Sequence, residues 1–134
     1  MKYLDEITSD EMRSLSPLVT AYIGDAYFHL YVRTRLLQKT HRIDKLNDLS
    51  SEIVSATFQA AAYKKIEKYL TDEEKDIFRR GRNAKSHAPR SATVQEYHAS
   101  TGFEALLGEL FLTKKFQRLD EICELMLIEE GIFE

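Results

Sequence analysis

From Leu18 to Gln38 the chain sustains a helical repeat so long and so apolar that it limits what can be built around it. Ser16-Pro17 opens the segment, an N-cap residue followed by Pro at the first helical position. On a 3.6-residue wheel, Leu18, Tyr22, Asp25, His29, Val32 and Leu36 form one stripe. Val19, Ile23, Ala26, Leu30 and Leu37 form a second, and Tyr27 and Tyr31 lie on the far side. A helix that is apolar nearly all round has to be buried on several sides. One chain of 134 residues can hardly bury all of it, which implies a partner subunit.

The rest of the pattern is also helical. Apolar residues recur at Leu46, Leu49, Ile53, Ala56, Ala60, Tyr63 and Ile66, which predicts a second long helix from about Ile43 to Leu70 with a break near Asn47. Thr71 starts TDEE, a capping box with Glu74 at the third position, and Gly81 is read as the end of that short helix. The polar stretch GRNAKSHAPRSAT follows. Further helices are predicted from about Val94 to Lys114 and from Arg118 to about Glu129. With only 5 Gly and 2 Pro there is little turn chemistry for a many-stranded fold. The expected architecture is an all-α bundle of five to seven helices in one domain, residues 1–134.

Composition narrows the setting. The single cysteine, Cys123, sits in EICELM and reads as helix core, which fits a reducing compartment. No apolar run approaches the roughly 20 residues that span a bilayer, and MKYLDEITSD lacks the features of a signal peptide. A cytoplasmic location is expected, without a membrane partner. No phosphate-binding glycine loop, dinucleotide fingerprint or Ser/His/Asp pattern occurs, and the four histidines show no metal-ligand spacing.

Two carboxylates stand out. AYIGDAYF (21–28) sets Asp25 among apolar, aromatic and Gly neighbours. A carboxylate on a buried stripe must be paired, protonated or bound to a cation. Arg33, Arg35, His29 or a subunit interface would supply the first solution. In STGFEALLG (100–108) Glu104 also points into an apolar face, flanked by small residues that leave room for an approaching group. Two acids from two apolar helix faces suit Mg²⁺, which takes one or two carboxylates and keeps several waters. The competing account is two unrelated buried acids, and spacing alone leaves both open.

The third feature is basic. From Ile77 to Gln95 there is no Asp or Glu, while Arg79, Arg80, Arg82, Lys85 and Arg90 all fall there in a chain of net charge −3. Together with Asn83 and Ser86 this stretch suits phosphate oxygens. Arg79 and Arg80 would equally well complement the end of a helix dipole.

Taken together, these segments resemble the ribonuclease III family. AYIGDAYFHLYVR (21–33) is similar to its signature helix, and TGFEALLGELFL (101–112) to its second acidic motif. FRRGRNAKS (78–86) followed by TVQEYHASTGFEALLG (93–108) resembles its short mini-ribonuclease III branch, which lacks a double-stranded-RNA-binding domain. The resemblance implies a dimeric all-helical endonuclease domain that hydrolyses double-stranded RNA with Mg²⁺, or Mn²⁺ in its place, leaving 5′-phosphate and 3′-hydroxyl ends. The substrate class it implies is precursor 23S (large-subunit) ribosomal RNA. Asp25 and Glu104 match the family's metal-binding catalytic acids. Arg79, Arg82, Asn83, Lys85 and Ser86 would grip the RNA backbone, and Tyr27 and Tyr31 would belong to the face that meets the twin helix. Two further acids of the full-length enzymes are replaced here by Ala21 and Thr101. That departure keeps alive an alternative, a weakly active or inactive double-stranded-RNA-binding protein on the same fold.

Overall fold

The computed structural model describes residues 1–84 and 93–133; Lys85, Ser86, His87 and Arg90 lie outside the described residues. Among those described the chain is all-helical, as its periodicity predicts, but with eight α-helices rather than five to seven. Two of the additions are short N-terminal helices, α1 (Lys2–Glu6) and α2 (Ser9–Ser14), the latter started by a Thr8–Glu11 capping box. The long apolar segment is α3 (Pro17–Leu36), with Ser16 Oγ accepting from the Val19 N–H.

The expected helix over 43–70 is interrupted, though not near Asn47. It is split into α4 (Ile43–Ile53), α5 (Ala56–Ile66) and a 3-10 turn over Glu67–Tyr69. The break falls at Val54-Ser55 because Ser55 caps α5, its Oγ accepting the Phe58 N–H at 3.2 Å. In an unbroken helix that N–H would bond the Val54 carbonyl.

Next comes α6 (Asp72–Arg82), opened by the Thr71–Glu74 capping box. Gly81 does not end it: the helix runs on to Arg82 and Asn83 is its C-cap. Gly81 is buried against α7 (Val94–Leu112), where a methyl group would stand 2.7 Å from Ala105 Cβ and 2.9 Å from Gly102 Cα. The chain closes with α8 (Phe116–Glu129). Arg118, near its start, forks onto the Glu74 carboxylate with two 2.8 Å bonds and so ties α8 to the head of α6.

The core centres on α7, which α3, α5, α6 and α8 surround. Phe28 and Phe103 meet edge-to-face with ring centroids 5.3 Å apart, and Tyr63 stacks on Phe78. Leu106, Leu107, Leu119, Ile122, Cys123 and Met126 are fully buried among them. The burial of Cys123 holds its thiol well above the ordinary range, so it behaves as a small apolar filler.

The far face of α3 reaches α8. Tyr27 and Tyr31 are half-buried, and both hydroxyls bond within the chain. Tyr27 donates to Asp120 at 3.2 Å and Tyr31 donates to Glu124, both on α8. The open apolar face of α3 is instead the stripe of Val19, Ile23, Ala26, Leu30 and Leu37, of which Leu30 is 62% exposed and Leu37 49%.

α3 and α7 make the tightest contact in the fold. A methyl on Gly24 would lie 1.8 Å from the Glu104 carbonyl oxygen, and one on Gly108 would lie 1.8 Å from that of Thr20. Neither obstacle can swing aside, because both are backbone. Gly24→Ala should therefore force the two helices apart and destabilise the chain by about 3 kcal/mol or more. Urea unfolding followed by circular dichroism measures this; a cost near that of an ordinary surface substitution would show that the crossing can relax.

Candidate active site

Three helices converge on a cleft of about 590 Å³. α3 contributes Ala21 and Asp25, α5 contributes Gln59, and α7 contributes Ser100, Thr101 and Glu104. The two acids singled out from sequence thus line one space. Glu104 is close enough to Asp25 to share a hydrogen bond with it. Their meeting follows from the glycine crossing, since Gly24 precedes Asp25 in sequence and abuts the backbone of Glu104.

The acids differ in setting, and here the structure corrects the sequence. Asp25 is not a buried charge. Its side chain is 52% exposed at the rim of the cleft, where His29 Nε2 lies 3.1 Å from Oδ1. Glu104 is the enclosed one. Burial first, then a hydrogen bond to Asp25 and the Asp25 charge, push its carboxyl up to about 9, opposed by a bond from Gln59. Two anions side by side in a low-dielectric space cannot both remain charged cheaply, so near neutral pH Glu104 carries a proton.

That proton occupies the electrostatic place of a cation, and the oxygen donors suit a hard divalent ion such as Mg²⁺ or Mn²⁺. Asp25 and Glu104 are the residues that could hold it. Among the described residues no third His, Cys, Asp or Glu completes a cluster. Ser100 and Thr101 donate their hydroxyls to the Tyr97 carbonyl at 2.8 and 3.0 Å. The small side chains Ala21 and Thr101 leave space for water, which would make up the remaining ligands.

The basic residues divide. Arg79 and Arg80 both pair with Asp76, which stands just ahead of the acid-free run, so their charge is largely answered on α6 itself. Arg82 makes no ion pair among the described residues and lies over the Phe78 ring, 5.9 Å from its centre. Asn83 caps the helix beside it. Lys85 and Ser86 fall outside the described residues.

Sequence reasoning missed Gln59. It is 1% exposed, donates to the Val54 carbonyl at 2.9 Å and to Glu104 Oε2 at 3.4 Å. The available signal was an amide on the otherwise apolar stripe of Ala56, Ala60, Tyr63 and Ile66.

Both helices that carry these acids fall within residues 18–115 or begin just before them, the range that matches the ribonuclease III domain family. The chain belongs to the ribonuclease III domain family. Within it, the chain is similar to proteins named mini-ribonuclease 3. The Thermoanaerobacter sp. protein is 48% identical over 92% of this chain and 90% of its own length. That of Staphylococcus aureus is 41% identical over 89% of this chain and 92% of its own length. A solved Fusobacterium nucleatum protein superimposes with a TM-score of 0.80 at 37% identity, covering 90% of this chain and 98% of that one.

The raised Glu104 carboxyl has a stability signature. Its folded value near 9 exceeds the ordinary 4.5 of the unfolded chain. Between those values the folded state holds a proton that the unfolded state has released, so without metal this group's contribution falls as pH rises. The slope approaches at most about 1.4 kcal/mol per pH unit. Glu104→Gln, which keeps the shape without the ionisation, should flatten the decline and leave the variant more stable than the parent at pH 9 in EDTA. Thermal unfolding from pH 5 to 9 reads this; parallel curves for the two proteins would contradict it.

Proposed function

We propose that this chain is a metal-dependent endoribonuclease that cleaves double-stranded RNA as a homodimer and trims precursor 23S ribosomal RNA in the cytoplasm. The observation that carries this reading is the convergence of Asp25 and Glu104 in one open cleft of a ribonuclease III domain. The names of the mini-ribonuclease 3 relatives support the reaction class. No helix among the described residues is long and apolar enough to cross a membrane.

Asp25 and Glu104 would hold Mg²⁺, or Mn²⁺, with the scissile phosphate beside it. Such an ion would supply Lewis-acid polarisation of the phosphate and activation of a water, and the products would carry 5′-phosphate and 3′-hydroxyl ends. The chain's own part is to place and discharge the carboxylates. Glu104 would hold the ion as a carboxylate, its proton passing to solvent, and Asp25, open at the rim, leaves the site within reach of an RNA backbone. Arg82 and Asn83 lie beside Gly81, which packs on α7 next to the cleft-lining Thr101. With Lys85 and Ser86 they are assigned to the RNA backbone, and Arg79 joins them only by loosening its bond to Asp76. A-form RNA gripped in this way is read by shape and phosphates rather than by base sequence.

The twin subunit is assigned to the open stripe of Val19, Ile23, Ala26, Leu30 and Leu37, in place of Tyr27 and Tyr31. A second copy across this stripe would bring two Asp25 residues to neighbouring edges of one surface, one for each RNA strand.

The test is incubation with a paired precursor-rRNA stem in Mg²⁺ and in EDTA, with end-mapping of the products. Cleavage should require the metal, and Asp25→Asn should lower the single-turnover rate at least about a hundredfold while duplex binding persists. Binding without cleavage by the parent protein would favour a non-catalytic RNA-binding role. Leu30→Lys puts a charge into the proposed contact and should reduce the mass seen by light scattering from twice 15.6 kDa to 15.6 kDa. A dimer that survives the substitution would place the contact elsewhere.

A further inference from the structure

We propose that Gln59 is a positioning residue, which holds the Glu104 carboxylate in the orientation a divalent ion requires. The inference rests on reading the cleft as a metal site.

The argument starts at the helix break. Ser55 Oγ takes the Phe58 N–H at 3.2 Å, which removes the Val54 carbonyl's usual helical partner. Gln59 Nε2 fills the vacancy at 2.9 Å. This anchor also settles the amide's orientation, because flipping the group would set its oxygen against the Val54 carbonyl. The second proton on Nε2 then faces Glu104 Oε2 at 3.4 Å. That contact lies at the long end of the hydrogen-bond range.

The choice of residue is informative. Gln59 is almost wholly enclosed, yet its Oε1 has no hydrogen-bond partner among the described residues. A buried acceptor left unpaired costs stability, and a methionine of similar volume would avoid that cost. Met would in turn leave the Val54 carbonyl without its donor, so the choice of Gln is decided by hydrogen bonding and not by packing. What Gln adds is a donor fixed at one end to backbone and aimed at the enclosed acid. Ala21 and Thr101 line the cleft beside Glu104 without adding a carboxylate, so a single donor behind Glu104 bears more of the task of fixing it. Such outer partners orient metal-binding carboxylates, and their loss commonly lowers metal affinity by about 10- to 100-fold.

The experiment measures Mn²⁺ binding by electron paramagnetic resonance on the full chain and on Gln59→Met, with thermal unfolding in EDTA as a check on the fold. The expected result is a dissociation constant raised at least about tenfold, in a variant whose thermal unfolding in EDTA shows it folded at the temperature of the measurement. Unchanged Mn²⁺ affinity in a folded Gln59→Met protein overturns the proposal and leaves the metal site standing. Absence of Mn²⁺ binding by the parent, or binding that survives Glu104→Gln, instead removes the metal site itself. Should Gln59→Met not fold, the parent decides by NMR. The Gln59 side-chain NH₂ signals should be slow to exchange and should shift on Mg²⁺ addition, and signals that stay fixed overturn the proposal.

Discussion

α3 and α7 cross with their backbones touching, and the rest of the structure depends on this contact. Gly24 lies against the carbonyl of Glu104, and Gly108 against the carbonyl of Thr20. Each glycine thus meets the partner helix four residues, about one turn, from the other glycine. The crossing is therefore fixed in register as well as in distance. Because Asp25 follows Gly24 and Glu104 is itself the residue touched, the same contact that packs the core sets the separation of the two acids. A larger residue at either glycine would open the cleft before it disturbed the acids' own chemistry.

Much of this was legible in the sequence, for physical reasons. α3, α6 and α7 announce themselves through Ser16-Pro17, the Thr71–Glu74 box and sustained 3.6-residue periodicity, and their bounds fall within two or three residues of expectation. The pairing of Asp25 with Glu104 was reached by resemblance, since 78 residues of sequence lie between them and no spacing rule spans such a gap. What could not be read depends on neighbours. Whether Asp25 is enclosed turns on where α5 and α7 end their coverage of α3. Tyr27 and Tyr31 looked like an unpartnered face because nothing in α3 reveals that Asp120 and Glu124 wait on α8 to receive their hydroxyls. Gly81 resembled a helix stop, when its real constraint is the approach of Gly102 and Ala105. The basic run looked free because Asp76 stands one residue outside it.

The interruption between α4 and α5 shows how a local rule reaches the site. A Ser at the start of an apolar helix is an ordinary cap. Here the cap also frees one carbonyl, the carbonyl secures one amide, and the amide faces the enclosed carboxyl. Each step is a single hydrogen bond, yet the chain of three connects a secondary-structure boundary to the electrostatics of Glu104. At the break, Ser55 caps α5 and Gln59, four residues on, takes over the abandoned Val54 carbonyl.

α3 presents three distinct faces, and their order places the site. One face is pressed onto α7 through Gly24 and Phe28, and the next leans on α8 through Tyr27 and Tyr31. The stripe from Val19 to Leu37 stays open, and Tyr22, Asp25 and His29 lie between it and the α7 face. Moving around the helix from the crossing to the open stripe, the first ionisable group met is Asp25. A subunit covering the stripe would border the Asp25 rim without burying Glu104 further, because Glu104 projects from α7 on the cleft's inner side. Association and metal capture would then act on opposite edges of the same helix, so that a substitution on the stripe alters the subunit count while the enclosed carboxyl keeps its surroundings.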